Sequence, residues 1–200
     1  MASRTEIANY ALALVAEQKV ADITDESNGP QAKWADLLFD QSLKEVLRSH
    51  IWSCARKRQA ITADSAAPDF GWAKSYTLPA DYVRIVTLNN VDPDDVDKPF
   101  FEIEDHKLLT DETTCNLVYI YLVDPGKLDA LAAEALYTLL ASKLAWALQQ
   151  NRTLRLQLLE EYQAILSRAM HIDSFERQSP AVSRRRMSSW IPARYSSTNG

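Results

Sequence analysis

Two hundred residues, 46% of them hydrophobic and 24% charged, suffice for one folded core. No run of about 18 apolar residues occurs, and Asn9 and Glu17 interrupt the N-terminal apolar stretch, which argues against a membrane span or a signal peptide and predicts a cytosolic product. The net charge of −5 is unevenly placed: from Asp173 onward five arginines stand against Asp173 and Glu176, a balance of +3 that leaves −8 on the rest.

Ser3-Arg4-Thr5-Glu6 has the form of a capping box and opens a first helix with a stripe of Ile7, Ala8, Ala11, Leu12, Leu14 and Val15. The segment Val20 to Ser27 reads as a connection anchored by Ile23. Ser27 or Asn28 can cap a second, long helix from Pro30 to Trp52, with apolar residues over more than one face: Ala32, Ala35, Phe39, Leu43, Val46 and Leu47, then Trp34, Leu37, Leu38 and Ile51. This helix is expected to organise the core and to pair antiparallel with the first.

Beyond Arg58 the period shortens towards two. Gln59 to Ala63 predicts a short strand, Asp64 to Pro68 a loop, and Asp69-Phe70-Gly71-Trp72 a turn carrying two large aromatics. Tyr82 to Leu88 is β-branched and alternating, hence a strand. Asn90 to Lys98 reads as an exposed turn, and Phe100–Glu104, Lys107–Leu109 and Asn116–Val123 as further strands. A third, alanine-rich helix follows from Leu128 to Leu148, a break at Gln149 to Arg152, and a fourth helix through Leu154, Leu158, Tyr162, Leu166 and Ala169. From Ser179 the chain is rich in Ser, Arg and Pro and has no period.

These elements predict an α+β fold, mainly α: a four-helix bundle with a small antiparallel β insertion between helices 2 and 3, and an extended C-terminal arm. The body spans 1–172, with helices in 1–58 and 125–172 and the insertion at 59–124; the arm is 173–200.

Catalytic and ligand-binding signatures are sparse. Gly29, Gly71, Gly126 and Gly200 are too scattered for a phosphate-cradling loop, and His50, His106 and His171 lack metal-ligand spacing, so no cofactor and no metal is expected. Cys54 and Cys115 form no C-x-x-C pattern and read as buried or half-buried free thiols. Glu102, Glu104, Asp105, Asp111 and Glu112 cluster around a strand and turn, and two placed carboxylates are what a glycosidase needs. A solvated turn in an acidic body accounts for them more simply. Trp52, Phe70, Trp72, Tyr76 and Tyr82 alternate with Arg56, Lys57, Arg58, Lys74 and Arg84, a mixture found on nucleic-acid surfaces. The preferred reading is a junction between helices and sheet, with cationic stems lying over rings. The arm combines Arg184, Arg185 and Arg186 with Trp190, Pro192 and Arg194, a charge cluster with an aromatic anchor and no core of its own. It reads as a segment that orders on a partner.

The order of parts, Val46-Leu47-Arg48-Ser49-His50-Ile51-Trp52-Ser53-Cys54-Ala55, then Phe70-Gly71-Trp72, then Tyr76 to Arg84, resembles the tail tubular protein A family of tailed phages. The similarity continues through Tyr119-Ile120-Tyr121-Leu122-Val123-Asp124-Pro125-Gly126, the helix Ala130 to Gln149, and Ser189-Trp190 and Arg194 in the arm. The resemblance implies a non-enzymatic virion protein of the head-to-tail junction. It implies an adaptor domain that forms a twelve-fold homo-oligomeric ring beneath the portal protein and receives the tail nozzle protein on its other face. Genomic DNA passes through such a ring without sequence-specific binding, and no membrane is involved. Within that picture Arg184, Arg185, Arg186, Trp190 and Arg194 are the expected portal-binding residues. The rival functions are a virion-associated peptidoglycan hydrolase using Glu102 to Glu112, and a helical nucleic-acid binder using the arm.

Overall fold

The computed structural model describes residues 3–91 and 100–176. In chain order these form α1 (Arg4–Leu14), α2 (Gly29–Ser49), β1 (Arg56–Ile61), β2 (Lys74–Thr77), β3 (Tyr82–Leu88), β4 (Phe101–Glu104), β5 (Lys107–Thr110), β6 (Cys115–Tyr121), α3 (Ala130–Gln149) and α4 (Arg152–Glu176). The strands make two three-stranded antiparallel sheets, ordered β1-β6-β3 and β2-β5-β4.

This corrects the expected four-helix bundle with a small insertion. The strands build two of three layers, because β6 is apolar on both faces. Val118 and Ile120 point into a core shared with the helices, while Leu117 and Tyr119 point into a second core with Tyr76 and Leu108 of the other sheet. Successive side chains of a strand face opposite ways, so one strand of this composition must be covered twice. The helices cover one side and the second sheet covers the other.

The helices do not pair as expected either. α1 and α2 touch each other only marginally, and α1, α2 and α4 all pack on α3. α3 is the member that can serve three neighbours: Ala132, Ala135, Leu136, Leu139, Leu140, Ala141, Leu144 and Ala145 are buried around most of its circumference, and its alanines allow close approach. Among the described residues it is also the one helix long and apolar enough to cross a membrane, yet here it is the centre of the helical layer. What joins α1 to α2 is polar: the Arg4 guanidinium donates to Asp36 at 2.9 Å and to Asp40, and lies 4.5 Å above the Phe39 ring.

Local signals explain most helix ends. Ser3 Oγ accepts from Glu6 N–H at 3.1 Å and Glu6 Oε2 from Ser3 N–H at 3.2 Å, completing the capping box. Asn28 stands at the N-cap of α2, but its side-chain amide turns back to donate to the carbonyls of Asp22 and Asp25. Gly29, at φ +86°, makes the bend into the helix that this requires. α2 stops at Ser49 rather than Trp52, since His50 is extended and Trp52 folds back so that its indole N–H donates to the Val46 carbonyl at 2.7 Å. Gln150, left-handed at φ 51°, closes α3 and sets up the tight α3–α4 hairpin.

Candidate interaction site

The junction between layers is held by three polar fastenings. Arg48 on α2 donates to the Val83 carbonyl of β3 and Arg84 on β3 donates to the Arg48 carbonyl, each at 2.8 Å, so helix and strand clasp each other through guanidinium groups. Lys57 Nζ on β1 lies 2.8 Å from Asp81 Oδ2, and the Tyr119 hydroxyl lies 2.9 Å from Asp81 Oδ1. Burial alone would raise the Asp81 carboxyl; the bonds from Lys57 and Tyr119 outweigh it and hold the group below the ordinary carboxylate range. The third fastening is at the end of α4. Asp173 places Oδ2 2.9 Å from His50 Nε2 and accepts the Ser53 N–H on Oδ1 at 2.9 Å, and His50 stands edge-on to the Trp52 ring.

Arg84, Lys57 and Trp52 thus serve the junction, as the sequence pattern suggested, but the aromatic and basic residues do not form one cluster. Trp52 and Tyr76 are buried in different cores. Phe70 and Trp72 lie elsewhere again, on the second sheet's outer face. Two residues of these fastenings were not picked out from the sequence. Asp173 falls at the start of the expected arm, and Asp81 lies inside the Tyr76 to Arg84 stretch with no role of its own; neither has a local signal, because the partners are distant in the chain.

The outer face of the second sheet is the most distinctive surface among the described residues. Tyr76 and Leu108 point inward, so the alternation sends Ser75, Leu109, Lys107, Glu102 and Glu104 outward. The 66–72 loop runs beside this face and encloses with it an open groove of about 500 Å³. Asp64 pins the loop's root, taking the Ser75 hydroxyl at 2.6 Å, the Thr77 hydroxyl at 2.9 Å and the Lys107 ammonium at 3.4 Å. The Ser75 bond is the chief reason its carboxyl is held low, with Thr77 and Lys107 adding and burial opposing. Trp72 Nε1–H donates to Glu102 Oε2 at 3.2 Å, and Ala73 N–H to Asp111 Oδ1 at 3.0 Å. Phe70 is 88% exposed, the most of any large hydrophobic residue described.

No family model matches the sequence, and no curated protein matches it.

The five carboxylates singled out from the sequence are therefore divided. Glu102 and Asp111 hold the aromatic loop, and Glu112 contributes its backbone carbonyl to the Tyr76 hydroxyl at 2.8 Å. Asp105 and His106 form the two-residue β4–β5 turn, both with positive φ (43° and 62°), the geometry of a type I′ hairpin. No group of three or more His, Cys, Asp or Glu suited to a metal ion occurs among the described residues. Cys115 is buried and Cys54 partly so, and burial pushes both thiols up. The five arm residues, Arg184, Arg185, Arg186, Trp190 and Arg194, lie outside the described residues.

Other exposed apolar side chains are spread over the helical layer. They include Leu37 on α2 at 64%, Tyr10 on α1, Trp146 on α3, and Leu156 and Phe175 on α4. Arg168 on α4 reaches Glu134 on α3 at 3.8 Å across the antiparallel hairpin. Lys143, one turn before Trp146, bonds to Glu45 on α2.

Proposed function

We propose that this chain is a structural adaptor of a phage virion, joining the portal to the tail nozzle as a ring that continues the DNA channel, and that it is not an enzyme. The observation that carries the reading is the placement of exposed apolar side chains. Phe70 marks the outer β layer, Leu37 and Trp146 the side of the helical layer, and Phe175 the last turn of α4. Large apolar residues exposed on several separate faces suit a protein that meets several partners at once. A ring needs two different complementary faces on each protomer, and a head-to-tail junction needs two more.

Charge supports the same assignment. The body carries −8 and the residues from 173 onward +3. An acidic wall repels the phosphate backbone and lets DNA slide, whereas a basic one would hold it. The arm supplies the opposite quality, arginines for charge-assisted bonds and Trp190 as an aromatic anchor, and its ordering on the portal would be offset by the contacts it gains. The ordered resemblance to the tail tubular protein A family names the partners.

The test uses the full chain and portal rings of the same phage, mixed and sedimented. Replacing Arg184, Arg185, Arg186 and Trp190 together by alanine is expected to weaken association by about a hundredfold or more, since hot-spot side chains each contribute about 2 kcal/mol or more. Unchanged association would remove the arm from the portal contact. Turnover of peptidoglycan that is lost on Glu102→Gln would instead favour the hydrolase.

A further inference from the structure

We infer that the groove on the outer face of the second sheet is a docking site for the chain's own arginine-rich segment, residues 184–194, in the free protein. The groove has the two properties such a segment needs. Its rim is acidic, with Asp69, Glu102, Glu104 and Asp105; its one lysine, Lys107, is already engaged by Asp64. Among the described residues no cation pairs with Glu104 or Asp105. Its wall is aromatic, with Phe70 almost wholly exposed and Trp72 held in place through Glu102. A guanidinium is the cation suited to both features at once, because it bonds carboxylates as a planar fork and stacks on rings.

The occupant follows from charge and reach. Residues 177–200 contain five arginines and no acidic residue, the strongest cationic stretch in the sequence. Asp173 fastens the end of α4 beside Ser53, and β1 starts three residues later and runs about 20 Å to Ile61, which packs on the second core just before Asp64, the partner of Ser75 in the groove. The eight residues from 177 to 184 span up to about 28 Å when extended, enough to carry Arg184 over that distance. Within the same chain the effective concentration of such a tethered segment is on the order of millimolar, so weak contacts suffice to hold it. The inference uses only the groove and the arm's composition, and stands apart from the portal assignment.

Trypsin cleavage after Arg184, Arg185 and Arg186 in the full chain tests it, measured against a free peptide of residues 180–196. Cleavage in the intact protein is expected to be about tenfold slower than in the peptide, and independent of protein concentration, because protease samples only the undocked population. Phe70→Ser changes a side chain that is nearly all in solvent, and the triple change Glu102→Gln, Glu104→Gln and Asp105→Asn removes the rim charge; each should bring cleavage back towards the peptide rate. Equal rates in wild type and both variants, or protection that grows with protein concentration, would overturn the inference. Loss or retention of portal binding has no bearing on this readout.

Discussion

Asp173 is one carboxylate with two duties, pairing with His50 and capping the Ser53 N–H, while 123 residues separate it from His50 in the chain. Both side chains are about nine-tenths buried, at 10% and 11% exposure, so removing the carboxylate breaks two hydrogen bonds at once, one of them shielded from water. Asp173→Ala is expected to lower unfolding free energy by about 2 kcal/mol in a urea titration, with Asp173→Asn losing less because it still accepts from Ser53. A second expectation concerns alkaline pH. Burial pushes the Cys115 thiol up to about 11, and burial, with the Glu45 charge adding, pushes the Tyr162 phenol up to about 12. Both are neutral when protonated, so their stabilisation is complete below the ordinary values of 9.0 and 10.0 and is lost as pH rises through the folded ones. Stability should therefore be level up to about pH 9 and decline between about 9 and 12. Cys115→Ala should flatten the lower part of that decline, and an unchanged slope would show that Cys115 contributes nothing there.

Among the elements, α3 rather than α2 is the hub, and the energetic consequence is measurable. Leu140 is wholly buried at the centre of α3, and Leu140→Ala is expected to cost about 3 kcal/mol, against about 0.5 kcal/mol or less for Leu156→Ala, which is half exposed on α4. Comparable losses at the two positions would count against α3 as the hub. The sequence carried the individual elements well where the signal is local. The Ser3–Glu6 box, the alternation of Tyr82 to Leu88 and the break at Gln150 all appear where their residues indicate. It carried their arrangement poorly. The apolar period of α2 continues through Ile51 and Trp52, and only the indole bond to Val46 reveals that the chain has already turned. Arg56-Lys57-Arg58 shows no alternation, yet forms half of β1 because Tyr119 and Asp81 receive Lys57 from across the sheet. β2 is four residues of mostly polar character, recognisable only from its pairing with β5. Alternation in β6 announces two buried faces but not that one meets helices and the other a second sheet. The groove was legible only in part: Phe70-Gly71-Trp72 marks an aromatic turn, whereas the acidic face beside it depends on how β4 and β5 register.

At the scale of the whole molecule, helices, a central sheet and an outer sheet give two kinds of surface on one frame. The helical layer offers Leu37, Trp146 and Leu156, and the outer sheet offers Phe70 within an acidic rim. Asp173 fastens the last turn of α4 beside Ser53. Under the proposed adaptor role, the body of −8 would line the channel and the oppositely charged tail would fasten it. The most direct measurement of the proposed adaptor role is negative-stain imaging of the full chain mixed with phage portal rings. The account predicts a second, coaxial ring of density stacked on one face of each portal with the channel continuing through it. Bare portal rings at saturating protein would contradict it.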